Sequence, residues 1–174
     1  KTGGASAWLT GNYEPKTKTI FWGVGNPSPD FDPRVRAGDN LYSNSTLALD
    51  ADTGKIKHHF QYTPNGSWDY DGNNETILVD DDQGRKVWLH ADRNGHVYSI
   101  NRDSGKCNWV VPIARVNWVT GFQGNCRPIV NPDKVPGYDK IVTDIAPILD
   151  GGKEWHPAAY SPKDCKSKAT INIK

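Results

Sequence analysis

Two stretches of this chain repeat one another at a spacing that few architectures use. Ala48-Leu49-Asp50-Ala51-Asp52-Thr53-Gly54-Lys55-Ile56-Lys57-His58 matches Ser99-Ile100-Asn101-Arg102-Asp103-Ser104-Gly105-Lys106-Cys107-Asn108-Trp109. Each reads as a strand, an Asp/Asn-rich turn closed by Gly, and a second strand. Weaker echoes fall at Tyr13-Glu14-Pro15-Lys16-Thr17 leading into Ile20-Phe21-Trp22, and at Tyr160-Ser161-Pro162-Lys163. Lys86 to Ala91 starts a further hairpin that passes through Asn94-Gly95 into His96 to Ile100. A period of about 40 to 50 residues marks stacked or radially arranged units, and four-stranded antiparallel units at that period are the blades of a β-propeller.

Composition agrees with many short strands and tight turns. The chain has 174 residues, with 17 Gly and 12 Pro, and its Val, Ile, Tyr and Trp runs are short. A length of 174 residues accommodates about three to four blades, so the expectation is an all-β piece of a longer polypeptide whose ring other segments complete. Formal net charge is +1 and no long Lys/Arg block appears, which argues against a nucleic-acid or anionic-membrane partner. No apolar run reaches membrane-span length, and the first residues, Lys1-Thr2-Gly3-Gly4-Ala5, do not read as a signal peptide. Cys107, Cys126 and Cys165 are spaced too irregularly for a zinc ribbon; one disulfide with a free thiol, or three thiols, both fit.

The chemistry-bearing stretch is Thr63 to Glu75, reading Thr-Pro-Asn-Gly-Ser-Trp-Asp-Tyr-Asp-Gly-Asn-Asn-Glu. Asp69 and Asp71 lie two apart, so on an extended backbone both project from one face. Like charges that close raise one another's pKa unless a cation or donors compensate, which marks a candidate metal or acid/base site. Upstream, Trp22-Gly23-Val24-Gly25-Asn26-Pro27 ends a strand on an amide oxygen suited to a hard cation, and its glycines permit close backbone approach. No Lys-Ser/Thr follows, so it is not a phosphate loop. Gly38-Asp39-Asn40-Leu41-Tyr42 opens the first repeat, and His90-Ala91-Asp92-Arg93-Asn94-Gly95 places an arginine in the last turn before the second.

In order and spacing these pieces resemble the pyrroloquinoline quinone (PQQ) dependent alcohol dehydrogenases, the methanol and ethanol quinoproteins, from Gly3 to about Pro162. The repeated Asp-x-x-Thr/Ser-Gly-Lys-x-x-Trp hairpin resembles that family's tryptophan-docking motif. The resemblance implies one eight-bladed propeller domain, of which residues 1–174 are a part. It implies a dehydrogenase that oxidises a primary or secondary alcohol and passes electrons to a cytochrome c-type acceptor in the bacterial periplasm. Carried onto this sequence, it places the Trp8 indole against the quinone with Ser6 near a cofactor carboxylate. Asn26, Asp69 and Asp71 become ligands of Ca²⁺ or a lanthanide ion, Asp69 the catalytic base, and Arg93 a donor to the quinone oxygens. Asp71 is the lanthanide-type feature, since an added carboxylate suits a trivalent ion. The family's metal-binding glutamate and adjacent-cysteine pair belong to segments upstream of Lys1.

Departures are also present. Pro64-Asn65-Gly66-Ser67 stands where relatives often have Pro-His-Asp, and His58 and His59 stand where the docking motif would end in Trp, which weakens one blade contact. In Gly151-Gly152-Lys153-Glu154-Trp155, Glu154 falls where methanol enzymes have Asn. The sequons at Asn44, Asn65 and Asn74 read as coincidences of an Asn-rich chain. Pro112 to Asp150 reads as a long loop and the start of another blade. Two other classes are compatible with the same residues: a non-catalytic propeller scaffold, and a glycan-binding β-module.

Overall fold

The computed structural model describes residues 3–81 and 83–161. Ten strands are present among them: β1 (Asn12–Glu14), β2 (Thr19–Val24), β3 (Ser45–Asp50), β4 (Ile56–Gln61), β5 (Ile77–Asp80), β6 (Lys86–Ala91), β7 (His96–Asn101), β8 (Cys107–Pro112), β9 (Val119–Gln123) and β10 (Arg127–Val130). They form two four-stranded antiparallel meanders, β1-β2-β3-β4 and β5-β6-β7-β8, and a ribbon, β9-β10. Each meander is one propeller blade. Among the described residues the expected three to four blades therefore resolve into two complete ones and a hairpin. Lys140 to Val142 and Ile145 to Ile148 belong to no strand, and the Pro162-Lys163 end of the last echo and Cys165 lie outside the described residues.

The repeat is faithful down to its turns. In the first, Asp50 Oδ1 accepts from the backbone N–H groups of Asp52 and Thr53 and from the Thr53 hydroxyl, and Gly54 takes φ +71°. In the second, Asn101 Oδ1 accepts the same three bonds from Asp103 and Ser104, and Gly105 takes φ +69°. A short side-chain acceptor closes the turn locally, and glycine enters the left-handed region without a Cβ penalty. Both hairpins also shift register at matching places, after Ala48 and after Ser99.

Alternation along the strands decides how the blades meet. Phe21, Ala48 and Phe60 of the first sheet face Trp88, Tyr98 and Ile100 of the second across one buried cluster. Phe21 and Trp88 ring centres are 5.2 Å apart, and Phe60 and Tyr98 5.6 Å. Tyr62 ties the layer, exchanging a 2.8 Å bond with Thr46 Oγ1 and accepting from Trp88 Nε1 at 3.1 Å. Full burial of such rings contributes about 2–3 kcal/mol apiece. His58 retains the docking contact that a Trp would make. Its ring lies parallel to Trp88, at 5.9 Å and 2°, while Nε2 bonds the Arg102 carbonyl at 2.8 Å. The expected weakening at this position is thus offset by a stack and a hydrogen bond.

Cys107 and Cys126 form a disulfide that joins β8 to the β9–β10 turn. Of the sequon residues, Asn44 and Asn74 are buried and donate to the carbonyls of Thr63 and Ala91.

Candidate functional site

Gly23 to Ser28 leaves the end of β2 and is laced to the N-terminal segment. Gly25 N–H donates to Ser6 O (2.9 Å), Ala5 N–H to Asn26 O (2.5 Å) and Ser28 N–H to Gly3 O (3.0 Å). A Cβ on Gly25 would lie 2.6 Å from Asp71 Oδ1, so only glycine lets this strand end approach the carboxylate. Asn26 is delivered in consequence to both aspartates. Its Nδ2 donates to Asp69 Oδ1 at 2.5 Å and its backbone N–H to Asp71 Oδ1 at 2.9 Å.

The 63–76 segment contains no strand, which corrects the extended-backbone expectation. Asp69 adopts φ +61°, and this left-handed residue, rather than strand alternation, turns its carboxylate toward the same neighbours as Asp71. The segment is pinned from behind by the Trp68, Tyr70 and Trp118 cluster. Trp68 Nε1 donates to Lys134 O (2.7 Å) and Tyr70 Oη to Pro147 O (2.6 Å). At the other end a buried guanidinium joins it to the 26–40 loop. Arg36 is 7% exposed and donates to the carbonyls of Pro29, Asp30 and Gly66 and to the side-chain oxygens of Asn40 and Asn65.

Arg93 enters from the β6–β7 turn. Its Nη2 lies 3.6 Å from Asp69 and 3.4 Å from Glu154, and its Nη1 3.7 Å from Asp71. These distances exceed those of a bonded guanidinium–carboxylate pair, about 2.7–2.9 Å. The bond it does make is to the Leu149 carbonyl, and its buried Nε has no partner. Trp8 completes the group. Its Nε1 donates to Asp71 Oδ2 at 3.1 Å while the residue stays 48% exposed and belongs to none of the hydrophobic clusters. Ser6 contributes its backbone carbonyl; its exposed side chain makes no bond within the site.

Asn26, Asp69, Asp71, Arg93 and Trp8, chosen from sequence, therefore gather in one place. Two acids that were not chosen join them. Glu154 faces Arg93, and Asp30 is near enough to Asp69 for each carboxyl to act on the titration of the other. The signal for Asp30 was an acid four residues after Asn26 in a loop stiffened by Pro27 and Pro29. Burial chiefly pushes the Asp30 carboxyl up to about 7, with Asp69 adding to the rise and Arg36 opposing it. Burial also raises Asp69, against the pull of Arg93 and with a push from Asp71.

The donor chemistry fits a cation beside a flat polyanionic ligand. Asn26 Oδ1 is buried without a hydrogen-bond partner, in a place where two carboxylates converge and the nearest guanidinium stands off. A buried orphan acceptor costs roughly 1–3 kcal/mol, and a hard metal ion would satisfy it. Among the described residues no three His, Cys, Asp or Glu side chains form a group able to hold a metal by themselves. A cation here would need the amide oxygen together with the two carboxylates, three donors against the roughly six to eight oxygens of a calcium-like ion. Arg93 Nε and the open indole face of Trp8 suit a planar anionic ligand.

Comparison with known proteins agrees with this arrangement. The PQQ family model, described as glucose/ethanol/alcohol dehydrogenase β-propeller domain, matches residues 1–120. Quinoprotein alcohol dehydrogenase PedH of Pseudomonas putida is 44% identical over 92% of this chain and 28% of its own length. The lanthanide-dependent methanol dehydrogenase of Methylorubrum extorquens is 38% identical over 94% of this chain and 29% of its own. A solved europium-containing methanol dehydrogenase superposes with TM-score 0.88 at 35% identity, covering 93% of this chain and 29% of that one. The chain spans under a third of the length of these relatives. With a family match across both blades and a neighbour of the same fold, the chain belongs to the PQQ-type alcohol dehydrogenase β-propeller family.

Proposed function

We propose that the polypeptide containing this chain is a PQQ-dependent alcohol dehydrogenase that oxidises a primary or secondary alcohol to an aldehyde or ketone. The observation that carries this reading is the convergence of Asn26, Asp69 and Asp71 around an unsatisfied amide oxygen, beside a guanidinium left 3.6–3.7 Å from both carboxylates. A bound quinone would supply the hydride acceptor and a bound metal ion the Lewis acid.

The chain's own residues do the rest. Asn26 Oδ1, Asp69 and Asp71 hold the ion. Asp69, whose side chain is 30% exposed, is the carboxylate an alcohol can reach, and it accepts the hydroxyl proton. Burial raises its pKa in the bare chain, and a neighbouring cation keeps it ionised as a base. Arg93 offers its unpaired Nε and loosely held fork to ligand oxygens, and the Trp8 indole supports the ring plane. Asp71 as a second carboxylate favours a lanthanide over Ca²⁺. Electrons leave to a cytochrome c-type acceptor. A periplasmic location accords with the Cys107–Cys126 disulfide, because such bonds persist in oxidising compartments.

The test is reconstitution of the full-length polypeptide with PQQ and either Ca²⁺ or a lanthanide, followed by dye reduction across alcohols. Asp69→Asn is expected to lower kcat by about 10²–10⁴-fold with the fold intact by circular dichroism. Wild-type turnover in that variant would overturn the assignment.

A further inference from the structure

The Arg93 guanidinium stands 3.6 Å from Asp69 and 3.7 Å from Asp71 and closes on neither. A flexible side chain beside two carboxylates shortens such gaps to about 2.7–2.9 Å unless its starting point is fixed. The residue that fixes it is the next in the chain. Asn94 has no exposed surface, and its backbone N–H and carbonyl and both atoms of its side-chain amide are all hydrogen-bonded.

Two of these bonds serve the β6–β7 turn itself. The Asn94 N–H donates to Asp92 Oδ1 at 2.8 Å, and Asn94 Oδ1 accepts from the His96 N–H at 3.1 Å. The others leave the turn. Nδ2 donates to Thr63 Oγ1 at 3.2 Å and to Tyr98 Oη at 2.9 Å, and the Asn94 carbonyl accepts from Trp118 Nε1 at 2.8 Å. Thr63 begins the acid-bearing segment, and the Trp118 ring lies 5.1 Å from Trp68 and 5.8 Å from Tyr70, the residues on either side of Asp69. Asn94 is therefore bonded at once to the arginine's turn, to the start of the 63–75 segment and to the indole that backs Asp69. Asn101 in the following turn shows the contrast, because its Oδ1 takes its three donors from Asp103 and Ser104 of that turn. On the other side of the arginine, the Arg93 carbonyl accepts from the Gly152 N–H at 2.8 Å, and a Cβ on Gly151 would lie 2.8 Å from Arg93 Cβ. The backbone at 93 is thus held from two directions.

We propose that Asn94 is a positioning residue: through Thr63 and Trp118 it sets the standoff between the Arg93 guanidinium and the Asp69–Asp71 pair, and so keeps the arginine available to an anionic ligand. The inference rests on the dehydrogenase reading above for the identity of that ligand, and it adds a residue which that reading does not use. With the Asn94 amide removed, the turn loses its ties to Thr63 and Tyr98, and the guanidinium closes onto the carboxylates as a bonded ion pair. Such a pair withholds the arginine from ligand oxygens and a carboxylate from a cation.

The experiment is a double-mutant cycle in the full-length polypeptide. It reads PQQ affinity by tryptophan fluorescence titration in excess Ca²⁺ or La³⁺, whichever supports binding in the wild type, and needs no turnover. Asn94→Ala is expected to weaken PQQ binding about tenfold, and by less than about twofold when Arg93 is already alanine. Thr63→Val keeps the side-chain shape and breaks the same bond from its other end. It is expected to weaken binding about threefold, again only while Arg93 is present, and it decides the matter if Asn94→Ala does not fold. Ile100→Ala removes a buried side chain at the far end of β7, and it is expected to lower stability with PQQ affinity unchanged. Equal weakening with and without the Arg93 side chain, wild-type affinity in the folded variant, or a tenfold loss in Ile100→Ala as well overturns the inference alone. A wild-type polypeptide that binds no PQQ with either ion removes the dehydrogenase reading and this inference with it.

Discussion

The two blades share a turn sequence and a topology, yet they are buried to different degrees. In the second sheet the inner strands are buried from Val87 to Ala91 in β6 and from His96 to Ile100 in β7, whereas the inner strands of the first, β2 and β3, leave Ile20, Trp22, Leu47 and Leu49 half-buried. The second sheet has apolar packing on both faces. Trp88, Tyr98 and Ile100 meet the first sheet, and Val87 and Leu89 pack with Val79, Trp109 and Tyr160 on the other side. The first sheet packs with Phe21, Ala48 and Phe60, while Ile20, Trp22 and Leu47 on its opposite face remain half-buried and join no cluster among the described residues. A blade of this kind draws its stability from having a neighbour on each side, as units of a repeat protein do. Two-sided burial is also what lets the second sheet hold His90, Asp92 and Asn94 with no exposed surface, His90 Nε2 bonding Asp92 and Asn94 bonding Asp92 and Tyr98, while His90 Nδ1 is left without a partner.

The sharpest break is Trp88→Ala in the full-length polypeptide. It empties the inter-sheet layer and strips Tyr62 of a donor, so unfolding free energy by denaturant titration is expected to fall by about 3–5 kcal/mol. Trp22→Ala is expected to cost clearly less, unless another unit covers that face.

A second contrast uses pH. Burial lowers His96 in β7 from 6.5 to about 4. A base kept neutral by folding adds stability that is fully present above the unfolded value of 6.5 and is lost as pH falls from there toward about 4. The loss over that window is roughly 3 kcal/mol, and it is expected to vanish from the pH profile of His96→Gln. His59 of the first sheet is lowered by the same cause, but it remains half-buried, so its substitution is expected to change the acid limb less.

The finest contrast is between the two turn glycines. Both have positive φ, but a Cβ on Gly105 would meet the His59 carbonyl at 2.8 Å and His58 Nδ1 at 3.0 Å, whereas one on Gly54 meets nothing within 4 Å. Gly54→Ala is expected to cost about 1 kcal/mol of backbone strain, and Gly105→Ala distinctly more. Equal costs for the two would show that Gly54 is docked by another unit in the whole protein.

Much of this was readable in advance, for stated reasons. Short polar acceptors at Asp50 and Asn101, each followed by Thr/Ser-Gly, announce a turn through local chemistry, so the hairpins could be placed from sequence. The gathering of Asn26, Asp69, Asp71, Arg93 and Trp8 came from the resemblance to a family and not from spacing. Two features were hidden because they depend on tertiary packing. The left-handed backbone at Asp69 is one that Asp tolerates but does not announce, since the same residue type is as often extended. Asp30 and Glu154 become part of the site only when loops remote in sequence close on one another, Glu154 against Arg93 and Asp30 under the hold of Arg36. His58 shows the opposite: a missing tryptophan implied a lost contact, and a smaller ring with a hydrogen-bonding nitrogen kept it.

The Arg36 clasp bears on how such a protein can be redesigned. Since the guanidinium bonds mainly backbone carbonyls and amide oxygens, most neighbouring side chains in the 29–40 stretch can be exchanged without unfastening it. Anyone recasting substrate choice has liberty in side chains there and little in chain length. Inserting or deleting a residue would shift the two loops against each other, whereas transplanting both together with their arginine should carry their mutual fit intact into another ring.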